Sequence, residues 1–292
     1  MSTLRIIKRR IRSVQSTQKI TRAMEMMAAA RLVRARNDAE KARPYGATMA
    51  AMLGHLAGNA AQFEHPLFTR RETGSHVLVV FGSDRGLCGA FNTNLIRQTS
   101  EFCRQHRDDG VKLIFVGRKC WDFFRRRDFE ILELYRDIGT AADFELAQRI
   151  TNRLLEIYLE GADGSSGDVQ SVQLLYTKFI STISRRPVIE RLLSIEPPQA
   201  AEETGTSLDY IFEPSAERIF RDLLPRFALV RVMTALLESF ASEHSARMVA
   251  MSSATKNAEE MIDSLVLQRN RIRQATITKE IAELVGGAEA LA

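Results

Sequence analysis

What the two ends of this chain lack is helix-breaking residues. Residues 2–43 and 226–285 contain neither glycine nor proline, although the whole chain carries 16 glycines and 7 prolines. Stretches of that length without either residue exclude tight turns and favour helix. Cysteine is also scarce. Cys88, Cys103 and Cys120 are an odd number without metal-ligand spacing, which argues against a disulfide framework and for reduced thiols in a cytosol-like compartment. No apolar run approaches the roughly 20 residues of a membrane span. The start, MSTLRIIKRR, has no apolar signal-peptide core, so an organellar transit peptide is expected to be absent or already removed. His55, His65, His76, His106 and His244 are scattered without ligand spacing, and no Ser-His-Asp, paired-carboxylate or metal constellation can be assembled. No catalytic residue, metal or cofactor is assigned.

What is present at the ends is periodicity. Apolar or small residues recur at alternating three- and four-residue steps, from Leu4, Ile7, Ile11 and Val14 through Gln18, Thr21, Glu25, Ala28, Leu32, Ala35, Ala39 and Ala42. The second ladder runs Phe227, Val230, Thr234, Leu237, Ala241, His244, Met248, Met251, Thr255, Ala258, Ile262, Leu265, Arg269 and Ile272. This spacing keeps one stripe of each helix facing a partner. A helix over 226–285 reaches roughly 90 Å at about 1.5 Å per residue, longer than a small domain needs. The polar seam positions Gln18, Thr21, Glu25, Thr255 and Arg269 fix register at a cost in stability. A weaker helical segment is expected to follow through 57, with Pro44 a candidate kink.

Charge is one-sided in the first helix. Arg5, Lys8, Arg12, Lys19 and Arg22 each follow a seam residue and so form one row about 100° from the seam. A row of one sign, unlike the balanced flanks of a self-sufficient coiled coil, favours an acidic partner over a merely solvated face, and Arg10 joins Arg12, Lys19 and Arg22 as a charge-based candidate. All ten methionines lie in the terminal segments, suited either to core filling or to surfaces that fit several partners.

Between the ends the texture changes to alternating strands and helices. Strands are expected at 77–81, 111–116 and 129–134, and helices at 92–106, around 121–124 and at 142–159. A final pair at 169–181 and 188–195 reads as antiparallel, joined near 185–187. This order implies a mostly parallel sheet with helices on both faces. Turn-rich or polar stretches at 58–76, 161–168 and 197–207 separate the parts. The fold class is therefore α/β: a long antiparallel coiled coil of N- and C-terminal helices with an inserted Rossmann-like α/β domain. The expected domains are 1–58, 76–198 and 209–292. The loop Gly82-Ser83-Asp84-Arg85-Gly86-Leu87-Cys88-Gly89 sits where a phosphate-binding loop would. It has no Lys-Ser/Thr pair after the last glycine and misses the dinucleotide spacing, so a tight strand-to-helix turn is the favoured reading.

Three blocks resemble a known family. IRSVQSTQKITRAMEMMAAARL at 11–32, SDRGLCGAFN at 83–92 and the stretch from 238 to 285, with ASEHSARMVAMSSATKNAEEMI and RNRIRQATITKEIAELV, resemble the gamma subunit of F-type ATP synthases. TKFISTISRRPVIERL and DYIFEP resemble further family segments. The resemblance implies a rotor shaft, one copy per complex and not itself catalytic. It would couple ion flow through a c-ring to ATP synthesis or hydrolysis at the beta subunits, with the alpha3-beta3 hexamer and epsilon as further partners. It implies that Met24 lies in the helix stretch facing the beta subunits' acidic lever, that Arg273, Gln274 and Thr276 contact the beta catch loop, and that the tail from Ile281 to Leu291, with Ile281 and Leu284 as contacts, enters an apolar sleeve. A peripheral position on the cytoplasmic face of a bacterial inner membrane follows, or else the mitochondrial matrix face.

Two other classes fit parts of the sequence. A nucleotide-binding enzyme with a dimerisation arm would use the glycine-containing loop. A basic adaptor for nucleic acid would use the cation row, which however lacks interleaved aromatics for stacking on bases; no nucleic-acid partner is assigned.

Overall fold

The computed structural model describes residues 2–59, 67, 71–160, 169–195 and 216–289. Two long helices, α1 (Ser2–Asn59) and α5 (Ala216–Glu289), bracket a five-stranded α/β region in the chain. Its elements are β1 (Ser75–Phe81), α2 (Phe91–Gln105), β2 (Val111–Val116), α3 (Arg118–Phe124), β3 (Glu130–Tyr135), α4 (Phe144–Glu160), β4 (Val169–Phe179) and β5 (Arg185–Leu193). By packing, the chain falls into two units, Met1–Ala28 with Arg247–Ala292, and Ala29–Ala246. The expected stretches at 161–168 and 197–207, the DYIFEP segment at 209–214 and the end of the tail at Leu291 lie outside the described residues.

In the larger unit the sheet order is β3-β2-β1-β4-β5, parallel except for the antiparallel β4–β5 pair. Val77 to Val80 are completely buried, as a central parallel strand covered on both faces requires. One face carries Leu78, Val80, Leu113, Phe115 and Leu175, packed with Leu95 and Phe102 of α2 and Cys120 and Phe124 of α3. Strand side chains alternate between faces, so Val79, Ile114 and Leu174 point the other way. Glu133 pairs in register with Ile114 and forms an ion pair with Arg153 of α4 at 3.5 Å, which sets α4 on that second face. Helices thus cover both faces, as the β-α alternation implies.

One local finding differs from the sequence expectation. The β4–β5 turn occupies 180–184, closed by the Ser181 amide donating to the Ser184 carbonyl at 2.9 Å, and Arg185 to Pro187 already belong to β5. Proline is tolerated there because β5 is an edge strand, where a missing N–H need not leave a ladder partner unpaired. As expected, α1 continues past Pro44, and α5, which starts at Ala216, likewise runs through Pro225.

The two ladders of the terminal helices are inward-facing throughout. Ile7, Ile11, Thr21, Ala28, Leu32, Ala35 and Ala39 are buried, and the remaining α1 ladder positions are half-buried. Much of this seam is alanine. Each buried methylene contributes only about 0.8 kcal/mol, so alanine adds little by area compared with leucine and instead lets the helices approach closely. Within the larger unit the pairing is antiparallel: Arg43 meets Glu238 at 3.1 Å, and Gly46 lies against Val230. Within the smaller unit Thr255 donates to the Thr21 hydroxyl at 2.8 Å, so two polar seam positions satisfy each other.

His76, buried at the start of β1, lies 2.8 Å from the Ser171 hydroxyl through Nδ1 and 3.5 Å from Asp109 through Nε2, with His106 packed edge-on at 4.3 Å. Burial foremost, with His106 and Arg191 adding and Asp109 opposing, pushes its pKa below 6.5. Above about pH 6.5 the ring is neutral in both folded and unfolded chains. Below it the unfolded chain takes up a proton that the fold resists, so stability falls as pH drops toward the lowered folded pKa. The thermal midpoint of wild type should therefore fall more steeply between pH 7.5 and 5.5 than that of His76→Gln; parallel profiles would contradict this.

Candidate partner-contact surfaces

The loop after β1 is built for internal bracing. Both Asp84 carboxylate oxygens accept backbone amides, from Arg118 at 3.0 Å and from Ile138 at 2.8 Å. One side chain therefore ties the turns that follow β2 and β3 and supplies an acceptor at the amino end of α3. Ser83 donates to the Arg85 carbonyl at 2.8 Å, and the Asn92 amide donates to the Ser83 hydroxyl at 2.8 Å and to Cys88 Sγ at 3.2 Å. Gly117, at φ +96°, has no room for a side chain: a Cβ there would lie 2.8 Å from the Gly82 carbonyl carbon. The loop glycines permit close backbone approach, as the favoured turn reading requires. Cys88, Cys103 and Cys120 are all buried, and burial pushes Cys103 up to about 11 and Cys120 up to about 12, with Cys88 adding to the latter. Cys103 and Cys120 are packed thiols held far from the thiolate form.

In doubly wound folds ligands bind outside the carboxyl ends of the strands. Here α5 occupies part of that edge. Glu238 accepts the Phe179 amide at 2.8 Å, Ser242 donates to the Thr177 carbonyl at 2.8 Å, and His244 Nε2 lies 2.9 Å from the Thr140 carbonyl in the loop after β3. From Ala235 to Arg247 every α5 residue is buried. Neither this polar stretch nor the role of Asp84 was expected from the sequence. A signal existed: Glu238, Ser242 and Ser245 recur at helical spacing and form a polar stripe beside the apolar ladder.

The outward-facing candidates lie on the terminal helices. Arg10, Arg12, Lys19 and Arg22 are exposed, as are Arg5 and Lys8 of the same row. Among the described residues none of these cations forms an ion pair, in contrast to Arg36 with Glu40 and Arg43 with Glu238. Arg5, Ile6, Lys8, Arg9 and Arg12 line one open surface recess, which concentrates positive charge at the start of α1. Met24 is half-buried, whereas Met26 and Met27 are exposed. The register set by Thr21 and Thr255 brings Leu4 opposite Ile272, so α5 beyond that point has no α1 ladder position to face. Arg273 and Gln274 are exposed there and Thr276 is half-buried, its hydroxyl donating to the Ile272 carbonyl at 2.8 Å. Further along, Ile277, Ile281, Leu284 and Val285 are exposed at 47%, 55%, 74% and 59%. Their spacing gathers them on one side of the helix, an apolar stripe that asks for a cover. The cation row, Met24 and the 273–284 group all lie in the same unit.

Long helices with outward-facing charge and apolar groups, and an inserted sheet whose ligand edge is braced from within, define a mechanical or scaffolding subunit. The family described as ATP synthase matches residues 3–291. An ATP synthase gamma chain of Moorella thermoacetica is 47% identical over 291 residues, with 100% of both chains covered. One from Anaeromyxobacter is 48% identical over 296 residues, again covering 100% of both. The fold is similar to a chain of the Euglena gracilis mitochondrial ATP synthase OSCP/F1/c-ring structure, with TM-score 0.68 at 19% identity over 99% of this chain and 95% of that one. A Tetrahymena thermophila mitochondrial ATP synthase central stalk/c-ring chain gives 0.60 at 23% identity, covering 80% of this chain and 99% of that one. The chain belongs to the ATP synthase gamma-chain family, the non-catalytic rotor subunits of the F-type central stalk. Such a subunit is peripheral in a membrane complex, and no helix among the described residues is long and apolar enough to cross a membrane.

Removing the Asp84 carboxylate leaves two backbone amides without their acceptor. Asp84→Ala should lower the stability of the α/β region by about 1–3 kcal/mol. Faster hydrogen exchange at the Arg118 and Ile138 amides would report the site directly; unchanged exchange would refute the bracing role.

Proposed function

We propose that the chain performs the family's rotor role through three surfaces of α1 and α5, each meeting a different part of an enclosing alpha3-beta3 hexamer. The exposed cations Arg10, Arg12, Lys19 and Arg22, with Met24, face an acidic lever on the beta subunits. Arg273, Gln274 and Thr276 engage the beta catch loop by hydrogen bonds. The apolar stripe through Ile281 and Leu284 turns in an apolar sleeve, where a surface without directional bonds can slide. The α/β region, with epsilon, attaches to the c-ring, and one copy serves each complex.

Ion flow through the c-ring turns the shaft, and its unlike faces select among beta conformations that differ in nucleotide affinity. The shaft does no bond chemistry. It supplies differential contact, which is the only way a partner can shift a conformational equilibrium. The observation that carries this reading is the one-signed cation row on α1, which forms no ion pair among the described residues. The complex is assigned to the cytoplasmic face of a bacterial inner membrane, in keeping with the bacterial relatives.

Reversing Arg12, Lys19 and Arg22 together to glutamate replaces attraction by repulsion against an acidic lever. ATP synthesis in energised membrane vesicles should fall at least fivefold, with gamma still copurifying with alpha, beta and epsilon. Wild-type synthesis rates in the triple variant would remove the electrostatic contact from the account.

A further inference from the structure

The rotor must pass torque from its sheet-bearing region into its helices, and apolar packing alone is a poor means of doing so. Apolar contact is non-directional, so helices and sheets can shear along it at little cost. Hydrogen bonds have preferred distances and angles and resist displacement. The polar contacts of α5 are grouped in a manner that meets this need.

Glu238 stands at the centre of the group. Its side chain is 5% exposed, on a helix segment buried all round. One carboxylate oxygen accepts the Phe179 amide at the end of β4, at 2.8 Å, and the other accepts the Arg43 guanidinium of α1, at 3.1 Å. One side chain thus joins α1, α5 and the sheet. Around it, Arg231 donates to Glu190 of β5 at 2.7 Å and Ser242 to the Thr177 carbonyl at 2.8 Å. Ser245 donates to the Thr182 carbonyl at 2.6 Å and receives Arg185 at 2.9 Å. Along α5 these anchors recur at 231, 238, 242 and 245, all toward the β4–β5 hairpin. All of the residues belong to one unit. An apolar helix face would pack the same region without polar groups to satisfy, and burying polar groups is tolerable only when each finds a partner.

We infer that Glu238 is a positioning residue for coupled rotation: it locks the β4–β5 hairpin to both helices, so that torque entering the sheet turns the shaft without slippage. The inference rests on the rotor reading. It touches neither nucleotide nor ion, and acts through Phe179, Arg43 and the hairpin.

The test uses the whole membrane-bound complex carrying Glu238→Leu, Glu238→Gln or Arg43→Gln, with ATP hydrolysis, ATP-driven ion pumping and ATP synthesis measured on the same vesicles. Glu238→Leu conserves bulk but offers no acceptor, and should cut the ratio of pumping to hydrolysis at least fivefold while hydrolysis stays within twofold of wild type. Glu238→Gln keeps an acceptor for the Phe179 amide and should restore the ratio to within twofold. Arg43→Gln, at a half-exposed position that leaves the buried core intact, should lower it two- to threefold. A merely structural role would instead reduce assembly, hydrolysis and pumping in parallel. If Glu238→Leu assembles and pumps at the wild-type ratio, the inference is overturned. If it does not assemble, Arg43→Gln decides, and a wild-type ratio there overturns it. Failure of the wild-type vesicles to couple hydrolysis to pumping would instead sink the rotor reading.

Discussion

The seam between α1 and α5 is the constraint on which the rest of this molecule depends. Each helix carries a continuous stripe that is costly to expose, and the stretches 2–43 and 226–285 have neither glycine nor proline to fold them back on themselves. The stripes therefore have to meet, although they are separated in the chain by the whole α/β region. Alanine and polar residues fill much of the α1 side. The pairing gains moderate energy from area, and takes its register from specific contacts such as Thr21 with Thr255 and Arg43 with Glu238. A shaft built this way is held in register while keeping its outer faces for other surfaces.

The α/β region shows how a nucleotide-binding topology can serve another purpose. The strand order and the glycine-bearing turn after β1 have the form of a ligand site. Asp84 spends both carboxylate oxygens on backbone amides, and α5 lays Glu238, Ser242 and His244 against the carboxyl end of the sheet. The edge that would receive phosphate in a relative of that topology receives a helix here. Fold alone therefore points toward an enzyme, and the side chains at the edge point away from one.

Much of the architecture was legible because its signals are periodic. The continuous run Val77 to Phe81 announced a buried parallel strand, and the three-four ladders announced both seams position by position. The hairpin turn was misplaced because Pro187 is usually a breaker, and only the strand's place at the sheet edge makes it acceptable. The buried polar stretch of α5 was missed because Glu238, Ser242 and Ser245 look like the solvated side of an amphipathic helix until a second surface is known to cover them. Asp84 could not be read at all, since its partners Arg118 and Ile138 are distant in sequence. The outward-facing cations had the clearest local pattern, but their meaning depends on chains other than this one.

Rotation of this chain against fixed beta subunits is the central claim, and it can be watched. All three native cysteines are buried, so a single Asp108→Cys substitution at an exposed turn gives one accessible thiol for a probe. With the beta subunits of the assembled complex immobilised, the account predicts that ATP drives the probe continuously in one direction. A probe that stays fixed while ATP is hydrolysed at the normal rate would contradict it.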